Sequence, residues 1–242
     1  MNPNPKITII GAGLVGCYLA GRLIQGGSKV CLVGRERIQK DIQKNGLTLS
    51  TLAGEKLSLP SEKVDYRTDY SSISESQYVI ILVKSVQTKE VAQSIKPLLS
   101  KDAVVVTLQN GISNKGILQE ILPLHTVISG LVVFNCIEKS PANFHKSTEG
   151  YFSLQEDSSG LEKPIVEAIN RGGEEAKVHR DEKSVVWGKL NFLNGEIIAL
   201  GKKHNLPTPV NQKILDLVKM AEENGQGSPK YTGKELCSKL GI

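Results

Sequence analysis

Ile7-Thr8-Ile9-Ile10-Gly11-Ala12-Gly13-Leu14-Val15-Gly16 reads as a short apolar strand that runs directly into a glycine-rich turn and then into a helix. The three glycines have different physical tasks. Gly11 permits the tight turn, Gly13 lets the backbone approach a pyrophosphate with no Cβ in the way, and Gly16 lets the helix pack closely against the strand. The helix then presents N–H groups without intrahelical partners at its start, where the helix dipole also favours negative charge. Gly11, Ala12, Gly13, Leu14, Val15 and Gly16 are therefore the candidate phosphate-binding residues.

Moving outward, the next strand, 30–33, ends in Gly34-Arg35. A dinucleotide enzyme selective for NAD usually carries an acidic side chain there for the ribose 2′-hydroxyl, and an acid would repel a 2′-phosphate. Arg35 offers instead a planar guanidinium that can pair with that phosphate through two hydrogen bonds and stack on adenine, with Arg37 as a second cation nearby. NADP(H) is the expected cofactor. Glu36, next to Arg35, keeps a ribose contact open as the alternative.

The same alternation continues through the first half of the chain. A helix at 14–25, a strand at 30–33 and a charged helix near 36–44 give a βαβα opening, and 78–83 and 103–108 are near-continuous apolar strands of the kind found in parallel sheets covered on both faces. A helix at 88–99 lies between those two strands. The segments 47–49 and 56–59 flank Ala53-Gly54 as a small hairpin insertion, and 126–135 and 150–154 are expected as further, antiparallel strands at the far side of the sheet. After about residue 181 the pattern turns helical, at 184–200 and 210–223, with a short helix at the end and a break at Pro207-Thr208-Pro209. The expected fold is α/β: a Rossmann-type, doubly wound, mostly parallel sheet in 1–180, followed by a small all-helical domain in 181–242.

Composition excludes several function classes. With 39% hydrophobic and 23% charged residues, the 242-residue chain suits a globular protein with its own core, not a disordered one. Its 30 basic and 25 acidic residues are interspersed, so the net charge of +5 favours anionic ligands without the basic tract that nucleic acid requires. The longest apolar stretches are of strand length, and the N-terminus has too short an apolar run for a secretory signal, so neither a membrane span nor export is expected and the cytoplasm is the expected location. Cys17, Cys31, Cys136 and Cys237 show no CxxC spacing, which fits a reducing compartment, and the isolated His125, His145, His179 and His204 give no metal site. No GxSxG occurs and Ser85 has no base partner, which argues against a hydrolase. Lys202-Lys203-His204, near a helix end, is read as charge complementing the helix dipole.

Beyond the glycine motif and Arg35, the chain carries Val83-Lys84-Ser85-Val86-Gln87-Thr88 after one strand, Gln109-Asn110-Gly111 after another, Trp187-Gly188-Lys189-Leu190, and Leu193-Asn194-Gly195-Glu196 through Pro207-Thr208-Pro209-Val210-Asn211. Together these resemble ketopantoate reductase (2-dehydropantoate 2-reductase), an NADP-dependent family of pantothenate synthesis. The resemblance implies an oxidoreductase that reduces a small 2-oxo acid, 2-dehydropantoate, with NADPH. It implies that Lys84 and Asn110 lie at strand ends beside the nicotinamide, that Asn110 and Asn191 serve the substrate, and that Lys189 is the catalytic lysine. A hydride arriving at a keto carbon leaves negative charge on oxygen, which a nearby ammonium stabilises and protonates.

The chain also departs from the family pattern. The helices expected between Lys189 and the Asn-Gly-Glu stretch, which carry further substrate asparagines, a serine and the catalytic glutamate, are absent. Leu193 stands where a substrate asparagine is expected, and Glu196 lies beyond the gap and does not inherit the glutamate's role. A thinner helical wall excludes water less well and orients substrate less tightly. The alternative expectation is therefore a catalytically weak or inactive NADP-binding protein. Apolar surface around Phe192, Ile197, Ile198 and Leu200 would then favour a homodimer that covers it.

Overall fold

Strand β1 (Lys6–Ile10) leads through Gly11 into helix α1 (Leu14–Gln25), and the computed structural model continues from there in regular βα alternation. It describes residues 4–110, 113–180, 194–195, 197–199, 201–224 and 231–241. The elements that follow α1 are β2 (Lys29–Val33), α2 (Glu36–Asn45), β3 (Leu47–Ser50), β4 (Lys56–Leu59), β5 (Asp65–Arg67), β6 (Tyr78–Ile81), α3 (Thr88–Ile95) and β7 (Val104–Thr107). Then come α4 (Asn114–Ile121), β8 (Val127–Val132), β9 (Cys136–Ser140), β10 (Asn143–Lys146), β11 (Phe152–Gln155), α5 (Lys163–Arg171) and β12 (Ala176–His179). The chain divides into two compact units, Met1–Arg180 and Asp181–Ile242.

The first unit is built on an eight-stranded sheet in the order β12-β11-β8-β7-β6-β1-β2-β5. From β5 to β8 this is the doubly wound order, with the direction of winding reversing at the β1/β6 boundary. Side chains alternate between faces along each strand. Tyr78 and Ile80 of β6 and Val104 and Val106 of β7 join the core on the α1 side. Val79, Ile81 and Val105 face the opposite core, with Val91, Ala92 and Ile95 of α3 and Leu118 of α4. That two-sided cover explains why these strands are apolar at every position rather than at alternate ones.

Two expectations need correction. The 47–49/56–59 hairpin is more than an insertion: β3 pairs with β4 antiparallel and with β10 parallel, in a second sheet ordered β4-β3-β10-β9. This sheet packs on α1, which is thus covered on two sides and buried from Gly16 through Leu23. A Cβ at Gly21 would sit 2.5 Å from Leu49 Cδ1, so a glycine on this face of α1 lets β3 come close. The second correction concerns strand direction. β8 runs parallel to β7, and only its pairing with β11 is antiparallel. Helix α4 supplies the crossover that a parallel β7/β8 pair requires.

In the second unit, Asn194, Gly195 and residues 197–199 and 201–203 are helical, followed by α6 (Pro209–Glu223) and α7 (Gly233–Leu240). Thr232 and Glu235 form a reciprocal capping box at the start of α7, an arrangement worth about 0.5–2 kcal/mol. Lys213 Nζ donates to the Leu240 carbonyl at 2.9 Å, and Asn211 Nδ2 to Asn194 Oδ1 at 2.8 Å. Ile198 is buried and Ile197 exposed, so the expected apolar patch is reduced at one of its four positions, while Phe192 and Leu200 lie outside the described residues.

Candidate functional site

In an open doubly wound sheet the ligand crevice lies beyond the carboxyl ends of the strands where the winding reverses. The glycine turn occupies that place. The N–H groups of Gly11 and Ala12 both donate to the Val33 carbonyl, at 2.9 and 3.1 Å, tying the turn to the end of β2. Gly11 has φ +114°, and a Cβ there would lie 2.6 Å from the Leu82 carbonyl carbon. A Cβ at Gly16 would run into the Gly11 carbonyl oxygen. Around Gly13 there is no atom within 4 Å of a would-be Cβ. Two glycines thus let backbone meet backbone, and the third leaves a clear surface. Helix α1 has Gly13 as its N-cap, with no side-chain cap and no acidic residue in its first turn, so neither the cap nor the first turn puts a negative or accepting side chain at the positive helix end.

Arg35 is the N-cap of α2, with extended backbone (φ −75°, ψ 146°) and an exposed side chain. Among the described residues it makes no ion pair. Its neighbours differ: Arg37 is bound to Asp41 at 3.0 Å and to Glu138 at 3.4 Å, and Glu36 to Lys40 at 2.8 Å. The Lys40 ammonium holds the Glu36 carboxyl below its ordinary value. The helper role for Arg37 and the ribose contact for Glu36 would each require breaking a bond that already exists; Arg35 would break none among the described residues.

Lys84 and Asn110 leave the ends of β6 and β7, and both are exposed. A buried hydrogen-bond chain holds their backbones in place. Gln109 Nε2 donates to the Val83 carbonyl at 2.7 Å and to Thr88 Oγ1 at 2.9 Å, while its Oε1 accepts from Thr107 Oγ1 at 2.9 Å. Thr88 Oγ1 donates onward to Asn114 Oδ1 at 2.9 Å. Asn114 Nδ2 donates to the Asn110 carbonyl at 2.9 Å and to Ser85 Oγ at 3.2 Å, and Ser85 Oγ donates to the same carbonyl at 2.8 Å. Every amide donor of Gln109 and Asn114 is used. The chain locks the β6 loop to the β7 loop at their inner ends.

Comparison with known proteins places the molecule. A family model described as ketopantoate reductase PanE/ApbA matches residues 7–158. The chain belongs to the ketopantoate reductase family. The model for the C-terminal part of ketopantoate reductase matches residues 189–222. A 2-dehydropantoate 2-reductase from Lactococcus lactis is 27% identical over 198 residues, covering 78% of this chain and 63% of that protein. One from Mesorhizobium japonicum is 30% identical over 211 residues, covering 76% of this chain and 63% of that protein. The matched region thus spans less than two thirds of these relatives' length. Among solved structures, the PanE/ApbA family ketopantoate reductase from Ralstonia eutropha superposes with a TM-score of 0.73 at 23% identity, covering 97% of this chain and 78% of that one. A D-mandelate dehydrogenase with NADH and anilino(oxo)acetate gives a TM-score of 0.70 at 19% identity, covering 98% of this chain and 78% of that one. At these identities the structures establish the shared fold.

Measured against the ketopantoate reductase motifs, Gly11 to Gly16, Arg35, Lys84 and Asn110 all lie at carboxyl ends of neighbouring strands in the first unit. Lys189 and Asn191, the catalytic and substrate candidates of the second unit, lie outside the described residues, as do Gly111 and Trp187. Among the described residues no group of three or more His, Cys, Asp or Glu side chains is arranged to hold a metal ion, and no helix is long and apolar enough to cross a membrane. Sequence reasoning gave no role to Gln109, Thr88, Asn114 or Tyr66. Of these, Gln109 carried a usable signal, since it is a polar residue directly after the fully buried run 103–108.

Proposed function

We propose that this chain is an NADPH-dependent reductase of a small 2-oxo acid, with 2-dehydropantoate as substrate and pantoate as product. One observation carries the nucleotide part. The first turn of α1 is free of side-chain caps and acids, is bounded by glycines at van der Waals limits, and has open space over Gly13. A pyrophosphate fits such a cradle. Preference for NADPH rests on Arg35, an exposed guanidinium with no ion pair among the described residues. The D-mandelate dehydrogenase with the same fold is described with NADH, so the fold by itself does not select NADPH, and the reading rests on this side chain.

When bound, the reduced nicotinamide supplies hydride. The residues of this chain do the rest. Lys84 and Asn110, set by the Gln109 chain, orient the nicotinamide end and the substrate. Lys189 stabilises the negative charge on the former ketone oxygen and delivers its proton from Nζ. Asn191 contributes an amide to substrate binding. The three cysteines of the first unit are free, in keeping with a reducing compartment such as the cytoplasm, and partners are limited to the small substrate and a second copy of the chain.

A second reading is a nucleotide-binding protein with little or no turnover. It is favoured by the restriction of the C-terminal family match to residues 189–222. Following NADPH consumption with ketopantoate, beside a fluorescence titration of NADPH, separates the two. Binding with turnover that is lost in Lys189→Ala supports the reductase. Binding without turnover on ketopantoate or related 2-oxo acids supports the second reading, and no NADPH binding would overturn both.

A further inference from the structure

The hydroxyl of Tyr66, on the edge strand β5, lies where the coenzyme-selecting end of β2 meets the glycine turn. Tyr66 is buried, at 8% exposure, but its Oη donates to the Arg35 carbonyl at 2.9 Å. The same carbonyl accepts from the Ile38 N–H at 3.1 Å and the Gln39 N–H at 3.3 Å, as an N-cap carbonyl does. Gln39 Nε2 returns a bond to the Tyr66 carbonyl at 3.2 Å, and the Gly34 N–H donates to the Arg67 carbonyl at 3.1 Å. β5 therefore holds the Gly34-Arg35 corner at two points and the following helix, through Gln39, at a third. A Cβ at Gly34 would overlap the Ala12 methyl and lie 2.5 Å from Tyr66 Oη, which places the phenol against both the β2 corner and the glycine turn.

Arg35 itself has no side-chain partner among the described residues to set its direction. The direction in which its guanidinium leaves the corner depends on the backbone, which the Tyr66 hydroxyl fixes from below. We propose that Tyr66 is a positioning residue for coenzyme choice: its hydroxyl pins the Arg35 backbone so that the guanidinium meets the 2′-phosphate, and it contributes to NADPH affinity but not to NADH affinity. This rests on the assignment of Arg35 to the 2′-phosphate made above.

The test is a set of nucleotide titrations on the full chain, wild type, Tyr66→Phe, Arg35→Ala and the double variant, each with NADPH and with NADH. Tyr66→Phe removes one oxygen and leaves the Arg35 carbonyl its two helical donors. One such hydrogen bond is worth roughly a 3- to 10-fold change in an equilibrium constant, which is the upper limit of what pinning the Arg35 backbone adds to NADPH affinity. The expected result is NADPH binding weakened by up to that factor, NADH binding changed by less than about twofold, and no further change in the NADPH/NADH ratio when Tyr66→Phe is added to Arg35→Ala. Equal losses for both nucleotides, or an unchanged ratio, would overturn the positioning role. If Arg35→Ala abolishes the preference while Tyr66→Phe leaves it intact, this inference alone fails. If Arg35→Ala leaves the preference unchanged, the cofactor assignment fails and the inference with it.

Discussion

At the scale of single residues, the glycines of the first turn separate folding from binding. Gly16 faces the Gly11 carbonyl at a distance that no side chain tolerates, so Gly16→Ala forces the turn and α1 apart. Overpacking of this kind costs about 1–3 kcal/mol, and the thermal midpoint should fall accordingly. Gly13→Ala meets no atom within 4 Å and has φ −94°, which alanine adopts freely. Its stability should stay within about 0.5 kcal/mol of wild type. NADPH affinity should nevertheless fall at least roughly tenfold, because the new methyl stands where the pyrophosphate approaches. A Gly13→Ala protein that binds NADPH normally would remove this turn from the phosphate site. The pattern of these glycines was legible because their spacing within six positions, directly between a strand and a helix, is itself the signal, although Gly11 also meets Leu82 of the neighbouring strand's end. Tyr66 was illegible for the converse reason: its hydroxyl acts on Arg35, 31 positions away, through a strand pairing that only the fold creates.

At the scale of elements, the strand-end loops are held by polar chains that the apolar strands enclose. Gln109→Leu would leave the Val83 carbonyl and the Thr107 hydroxyl without their partners in a buried setting. Such unsatisfied groups cost about 1–3 kcal/mol each, so the midpoint should drop and, on the proposed placement of the nicotinamide beside Lys84 and Asn110, turnover should fall more than NADPH affinity. Unfolding curves together with kcat and Kd measure the two effects separately. A second chain joins α1 to both sheets: Glu174 is bound by Arg22 at 3.1 Å and by Lys146 at 2.7 Å, and it accepts from the Tyr18 hydroxyl. All four are buried. Glu174→Ala leaves two buried cations without this carboxylate and should cost about 3–5 kcal/mol; a loss below about 1 kcal/mol would mean that water reaches the cluster. The strands at 78–81 and 104–107, α1, α2 and the β3/β4 hairpin were legible because continuous apolar runs or clear periodicity mark them. β5, β9, β10 and β12 were not, since a three-residue Asp-Tyr-Arg edge or a half-exposed Cys136–Ser140 strand has little pattern to read. Without α4 in view, β8 was assigned the wrong direction.

At the scale of the molecule, burial decides which thiols react. Cys17 and Cys31 are buried and desolvation raises both thiols, while burial pushes Cys136 up to about 12. A raised value keeps the thiol protonated and unreactive near neutral pH. Cys237 is exposed. A thiol reagent should therefore modify one cysteine per native chain and all four after denaturation, and rapid native modification of more than one would contradict the burial of the first unit. The same burial bears on how the molecule divides. Both apolar cores of the first unit consist of residues up to Ala176, on the two faces of one sheet, so Met1–Arg180 has the interior that an independent domain needs. A fragment of residues 1–180 should melt cooperatively and bind NADPH within about threefold of the full chain, because the glycine turn, Arg35, Tyr66 and the Gln109 chain are all inside it. It should show no reductase activity if Lys189 has the catalytic role proposed above, because that lysine lies outside the fragment. If the fragment melts without cooperativity, Met1–Arg180 is not an independent domain; if it folds but loses NADPH, the nucleotide site is not confined to it.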